Sequence, residues 1–127
     1  MRDYRKIEAW HLADDLTVAI YQKTQGFPKE ELYGVTSQIR RAAYSVPSNI
    51  AEGSARESLR DYLHFLYIAR ASLTETQYFV HLSKRLGYLS EEDHDVLMDQ
   101  VKDAFRRLHG LIKAVEKEAG KLQKAAA

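Results

Sequence analysis

The sequence predicts an all-α fold, an antiparallel up-down-up-down four-helix bundle, and three observations predict it. Glycine and proline are few and fall at intervals (Gly26, Pro28 and Gly34, then Pro47 and Gly53, then Gly87, then Gly120) that divide the 127 residues into long uninterrupted segments. Within each segment apolar residues recur at helical spacing, and no segment alternates with the period of two that a strand requires. The links between segments are short, so each helix must return beside the one before it.

In the first segment Ala9, Leu12, Leu16, Ala19 and Ile20 form the apolar stripe, with Asp3 as a cap and Gly26 and Pro28 as the stop. The second carries Val35, Ile39, Ala42, Ala43, Val46 and Ile50. Pro47 removes an N–H and crowds the preceding turn, so a kink or break is expected there. Ser54-Ala55-Arg56-Glu57 reads as a capping box for helix three, with Ser58 and Asp61 as a second start just after it. Helix three is expected to run to Leu86 and to turn at Gly87-Tyr88-Leu89-Ser90. Helix four has Leu97, Val101, Ala104, Leu108, Leu111, Ile112 and Val115 in near-heptad register, with acidic residues early and basic residues late, which complements the helix dipole. The domain is therefore placed at 1–119, and residues 120–127 are expected to fray or be disordered for want of a partner stripe.

A chain of this length buries roughly two thirds of its unfolded surface and can form a core. Its 19 Lys and Arg against 18 Asp and Glu leave a formal charge of +1, so any basic surface must be local. It has no cysteine, which excludes disulfides, thiolate metal sites and cysteine nucleophiles. The N-terminal segment Met1-Arg2-Asp3-Tyr4-Arg5-Lys6 leads into mixed charge without the apolar run of a signal peptide or membrane span. A cytoplasmic protein without membrane association is expected.

Helix three has two apolar stripes. Leu59, Tyr62, Leu66, Ala69, Leu73 and Val80 form one, and Phe65, Ile68, Phe79, Leu82 and Leu86 the other. One bundle buries only one of them, and an uncovered second stripe is the kind of patch that oligomers use as an interface. The alternative is a central helix three covered on both sides within the monomer. Gly110, opposite the main stripe of helix four, marks either a close backbone approach or a tolerated surface glycine. Glu75 falls in the middle of the second stripe, where a buried carboxylate would need Arg40 or Arg41 as a partner or would stay protonated.

Catalytic patterns are sparse. Glu8-Ala9-Trp10-His11 and Glu91-Glu92-Asp93-His94 have the Glu-x-x-His spacing of di-metal bundles, but both lie off the core stripes in first turns, where acidic residues serve as caps. His64, His81 and His109 stand on separate turns without a relay partner, and no phosphate loop, nucleophile elbow or zinc spacing occurs. The sequence thus predicts no enzyme, no catalytic residues, no metal and no cofactor. Arg40, Arg41, Arg56 and Arg60 gather around the Pro47 segment and the start of helix three, offset by Glu52 and Glu57. They read either as a phosphate-binding patch or as paired surface charges such as Glu52 with Arg56.

The run Gly34-Val35-Thr36-Ser37-Gln38-Ile39-Arg40-Arg41-Ala42-Ala43-Tyr44-Ser45-Val46-Pro47-Ser48-Asn49-Ile50-Ala51-Glu52-Gly53 resembles the signature of the four-helix bundle family first met as reading frames in intervening sequences of bacterial 23S ribosomal RNA genes. The resemblance extends to Trp10 and Ala13, to Phe27-Pro28 with Glu31, to Phe65-Leu66 and Ile68-Ala69, to Ser72-Leu73-Thr74-Glu75 and to Leu86-Gly87-Tyr88-Leu89. Arg70-Ala71 departs from it, since members often carry Gly beside the Ser. The resemblance implies an up-down bundle assembled as a homopentamer, with no known catalytic activity. The accessory protein of diversity-generating retroelements is similar, which implies RNA or DNA, or a nucleic-acid-processing protein, as partners. By motif position Gln38, Arg40, Arg41, Ser45, Asn49, Glu52 and Glu75 are the family-like polar residues, and Ser45 and Asn49 could serve the backbone groups freed by Pro47.

Overall fold

A computed structural model describes residues 2–126, and they are all-helical: α1 (Glu8–Lys23), α2 (Val35–Ser54), α3 (Leu59–Arg85) and α4 (Glu91–Ala126), with short 3-10 turns at Tyr4–Lys6 and Lys29–Glu31. Each helix packs on its neighbours in sequence, and α1 closes the bundle against α4. Paired residues run in opposite order along each seam. Glu8 meets Arg107 while Lys23 meets Asp93, and Tyr67 meets Glu116 while Lys84 meets Glu91. The core takes Leu16 and Ile20 from α1, Ile39, Val46 and Ile50 from α2, Tyr62, Leu66, Leu73 and Val80 from α3, and Leu97, Val101, Leu108 and Ile112 from α4. No helix among the described residues is long and apolar enough to cross a membrane.

Several expected boundaries move, each for a local reason. Asp3 caps the 3-10 turn rather than α1: its side chain accepts from the Arg5 N–H, and the long helix begins only after the extended Ile7. Ser54 is the buried last residue of α2, its hydroxyl donating to the Ala51 carbonyl, so the first capping box does not start α3. Ser58 does, accepting from the Asp61 N–H at 3.1 Å. α3 closes on Gly87, whose φ of +78° lets the Tyr88 N–H reach the Ser83 carbonyl and its own N–H reach that of Lys84. The tail expected to fray continues α4 through Gly120 to Ala126 with its side chains largely exposed; Ala127 lies outside the described residues.

Pro47 does not break α2, which runs through it from Val35 to Ser54. In a helix the missing Pro47 N–H would have bonded the carbonyl four residues back, that of Ala43. Thr17 of α1 brings a donor there, its one hydroxyl proton shared between the Ala43 carbonyl at 3.1 Å and that of Ala13 at 2.8 Å. Asn49 instead donates to the Ser45 carbonyl and hydroxyl. The loss at Pro47 is thus met across the α1–α2 seam, not by Ser45 or Asn49.

The end of the bundle that holds the α1–α2 and α3–α4 links is tied by residues far apart in sequence. The Tyr88 hydroxyl donates to Glu31 at 2.7 Å, and the Phe27 and Tyr88 rings sit 5.5 Å apart. That bond stabilises the protonated phenol and raises the Tyr88 pKa. The other Glu31 oxygen accepts from the first N–H of α2, at Val35. Phe27-Pro28 with Glu31 and Gly87-Tyr88-Leu89 therefore form one latch.

Candidate functional site

Five of the seven polar residues singled out by the sequence fall on one line of α2. Gln38, Arg41, Ser45, Asn49 and Glu52 succeed one another at three- and four-residue steps, so they share a flank, and that flank looks across at α3. The Gln38 side-chain oxygen accepts from Arg41 at 2.9 Å, and Arg41 stands 3.8 Å from Glu75. Ser45 and Ser72 hydroxyls bond at 2.9 Å, with Asn49 donating to Ser45. Glu52 takes Arg56 at 3.1 Å, and the Arg56 guanidinium lies over the Phe65 ring.

Gly53 sets the spacing of this seam. A Cβ there would lie 2.8 Å from the Phe65 Cβ and 3.1 Å from a Tyr62 ring carbon, so only glycine lets α3 come this close. Gly110 shows no such approach, with open space where its Cβ would stand.

Glu75 is not the buried carboxylate expected from its stripe. Its side chain is 45% exposed and Arg41 is 55% exposed, so within one chain the pair is a surface pair of small energetic weight. The second stripe is only half covered in the same way: Phe65, Phe79 and Leu82 are partly buried, while Ile68 and Leu86 are exposed at 37% and 47%. Tyr44 on α2 is also exposed.

The four arginines do not make one patch. Arg40 turns toward α1, donating to the Thr24 hydroxyl at 2.9 Å with its guanidinium over Tyr21. Arg41 turns toward α3, and Arg56 lies beyond the far end of α2, which is itself about 20 Å of helix rise from Arg41. Arg60 is exposed on the first turn of α3 and has no carboxylate within ion-pair distance among the described residues.

The two Glu-x-x-His pairs sit apart. Glu8 pairs with Arg107 and His11 contacts the Arg5 carbonyl at one end, whereas Glu91 lies by Lys84 and His94 by Asp95 at the other. Among the described residues, no three acidic or histidine side chains converge as a metal cluster.

Two structural roles escaped the sequence reading. Thr17 sits on a helix whose apolar stripe drew attention elsewhere, and the Glu31–Tyr88 pair spans two links that no periodicity joins. The resemblance had marked Glu31 and Tyr88 but not their contact.

The scan of protein families finds the 23S rRNA-intervening sequence protein family over residues 5–110. A search of curated proteins finds no match. Among solved structures, a protein of unknown function from the S23 ribosomal protein family of Bacteroides thetaiotaomicron, a crystal structure at 1.70 Å, is similar with a TM-score of 0.76 and 23% identity, covering 83% of this chain and 98% of that one. That likeness supports the fold alone. The helices that carry the α2–α3 seam, the Gly53 approach and the Phe27–Glu31–Tyr88 latch all lie within the matched span, and the chain belongs to the 23S rRNA-intervening sequence protein family.

Proposed function

We propose that the protein is a non-enzymatic, cytoplasmic, homo-oligomeric accessory protein, assembled as a pentamer, that binds nucleic acid. The observation that carries the assembly is the half-covered α2–α3 face. It sets exposed Ile68 and Leu86 and partly buried Phe65, Phe79 and Leu82 beside a line of short or already paired polar groups on α2. A second copy placed over Phe65, Ile68, Phe79, Leu82 and Leu86 would bury apolar surface while the charges among them, Arg41 and Glu75, stay paired, with exposed Asp61 left at the rim. Glu75 and Arg41 would then be desolvated together, as the pattern of the second stripe anticipates.

Nucleic-acid binding is supported by the family's tie to ribosomal RNA genes and by the resemblance to the accessory protein of diversity-generating retroelements; a fold alone does not transfer function. A competing reading, a structural or protein-binding scaffold without nucleic-acid binding, draws on the engagement of Arg40, Arg41 and Arg56 with partners of their own chain. Titrating the protein with structured RNA and duplex DNA across a salt series separates the two. Binding that weakens linearly on a log–log salt plot supports the first reading, and no binding at low salt supports the scaffold.

A further inference from the structure

α3 presents a third face that belongs neither to the core nor to the half-covered stripe. Arg60, His64, Tyr67, Ala71, Thr74, Tyr78, His81 and Arg85 follow one another at alternating steps of four and three residues, the spacing that keeps side chains on one ridge of a helix. All of them are exposed. The ridge holds no carboxylate from Arg60 to Arg85, about 38 Å of helix at 1.5 Å per residue. Tyr78 is 55% exposed, and Arg70 lies at the ridge's edge with its guanidinium 5.1 Å from the Tyr67 ring centre.

The neighbouring helix adds cations. Arg106 and His109 of α4 line one depression with Arg70, and Lys113 stands 3.7 Å from Glu116, whose other oxygen accepts the Tyr67 hydroxyl at 2.7 Å. Arg106 is paired with Asp103. By contrast Arg60, Arg70 and Arg85 have no carboxylate within 4.0 Å among the described residues. Glu116 and Asp103 thus already have hydrogen-bond or ion-pair partners; of the α3 carboxylates, Glu75 adjoins the ridge one turn from Ala71 and Tyr78 and is engaged by Arg41, and Asp61 stands one turn before Phe65.

Resting on the nucleic-acid reading above, we propose that this outward ridge of α3 is the surface that holds the nucleic acid, its free arginines on phosphates and the exposed Tyr78 ring against a base. Unpaired guanidiniums have no protein partner to give up on binding phosphate, and each phosphate they neutralise releases counterions. Exposed aromatic rings between cations favour strands with unstacked bases. An acidic protein segment would satisfy the arginines but not the aromatic ring.

The test compares the full-length protein with an R60Q/R70Q/R85Q variant and a Y78A variant. Each is titrated with a single-stranded RNA, an RNA duplex and a polyglutamate of matched charge across a salt series. Because these side chains are exposed, helical circular dichroism and particle mass should match the unmodified protein, and a K6Q/K29Q variant, at exposed lysines away from α3, controls for general loss of charge. The triple variant should reduce the salt slope by about three and weaken RNA binding at least tenfold at moderate salt. Y78A should weaken single-stranded RNA by about fivefold or more and spare the duplex. If the unmodified protein binds no RNA at low salt, the nucleic-acid reading and the ridge fall together. If it binds and the triple variant keeps the same affinity and slope, or if polyglutamate binds as tightly as RNA, the ridge is overturned while the wider reading stands or falls on its own titration.

Discussion

The two solvent-facing sides of α3 carry different chemistry. Toward α2 the helix shows Phe65, Ile68, Phe79 and Leu82, with Ser72 and Glu75 already partnered and Asp61 at one end; on the outward ridge it shows Arg60, Tyr67, Tyr78, His81 and Arg85, with no carboxylate. A long helix with one face in the core leaves two others to solvent, and this one keeps its apolar surface apart from its unpaired cations. Desolvating a charge is expensive and desolvating a methyl group is favourable, so a face for another protein chain and a face for a polyanion are best kept separate.

The largest effect that could break this contrast is on assembly. Ile68→Glu places a charge in the apolar side of α3 at a site exposed within one chain, so it should leave the monomer helical while reducing the particle to single chains; light scattering beside circular dichroism reads both. Unchanged mass would move the interface elsewhere.

Next come substitutions in the seam that holds α3 in place. Gly53→Val should cost about 3 kcal/mol because its new atoms meet the Phe65 Cβ and Tyr62, neither able to retreat without shifting α3. A lower denaturation midpoint at unchanged slope would register it. Thr17→Val should cost about 2 kcal/mol by leaving the Ala43 carbonyl without the hydroxyl that replaces the Pro47 N–H. The same change in a Pro47→Ala background should cost less, since alanine restores the helical donor, and a double-mutant cycle measures the difference.

The smallest expected effect lies at the ridge's edge. The Tyr67 hydroxyl holds the Glu116 carboxyl below its usual range, and nearby Lys113 and Arg70 add to this. A pKa lowered by folding means stability present above the unfolded value and lost as pH falls through the folded one. A slight acid-side loss, below about pH 4.5, should therefore appear in thermal melts and be smaller in Tyr67→Phe, where only Lys113 and Arg70 still act.

Most of the fold was legible because apolar periodicity and sparse glycine and proline are local signals. α3 and α4 could be read from their stripes, and Gly87 from its place at a turn. The misreadings came where local signals compete. Ser54 and Ser58 both resemble caps, and only the packing of α2 onto α3 at Gly53 decides between them. Pro47 reads as a kink or a break, and α2 continues through it with Thr17, on another helix, beside the carbonyl it frees. The arginines near one another in sequence, Arg40, Arg41, Arg56 and Arg60, suggested a patch, yet their helical positions scatter them. Arg60, Tyr67, Tyr78 and Arg85 share a ridge because their spacing follows the helical turn, although none is adjacent to another in sequence.

The half-covered face of α3 and the proposed ring stand on one quantity, the mass of the unmodified protein in solution. Multi-angle light scattering across micromolar concentrations should give a particle of five chains of 14.6 kDa each. A particle of one chain's mass throughout that range would contradict the account.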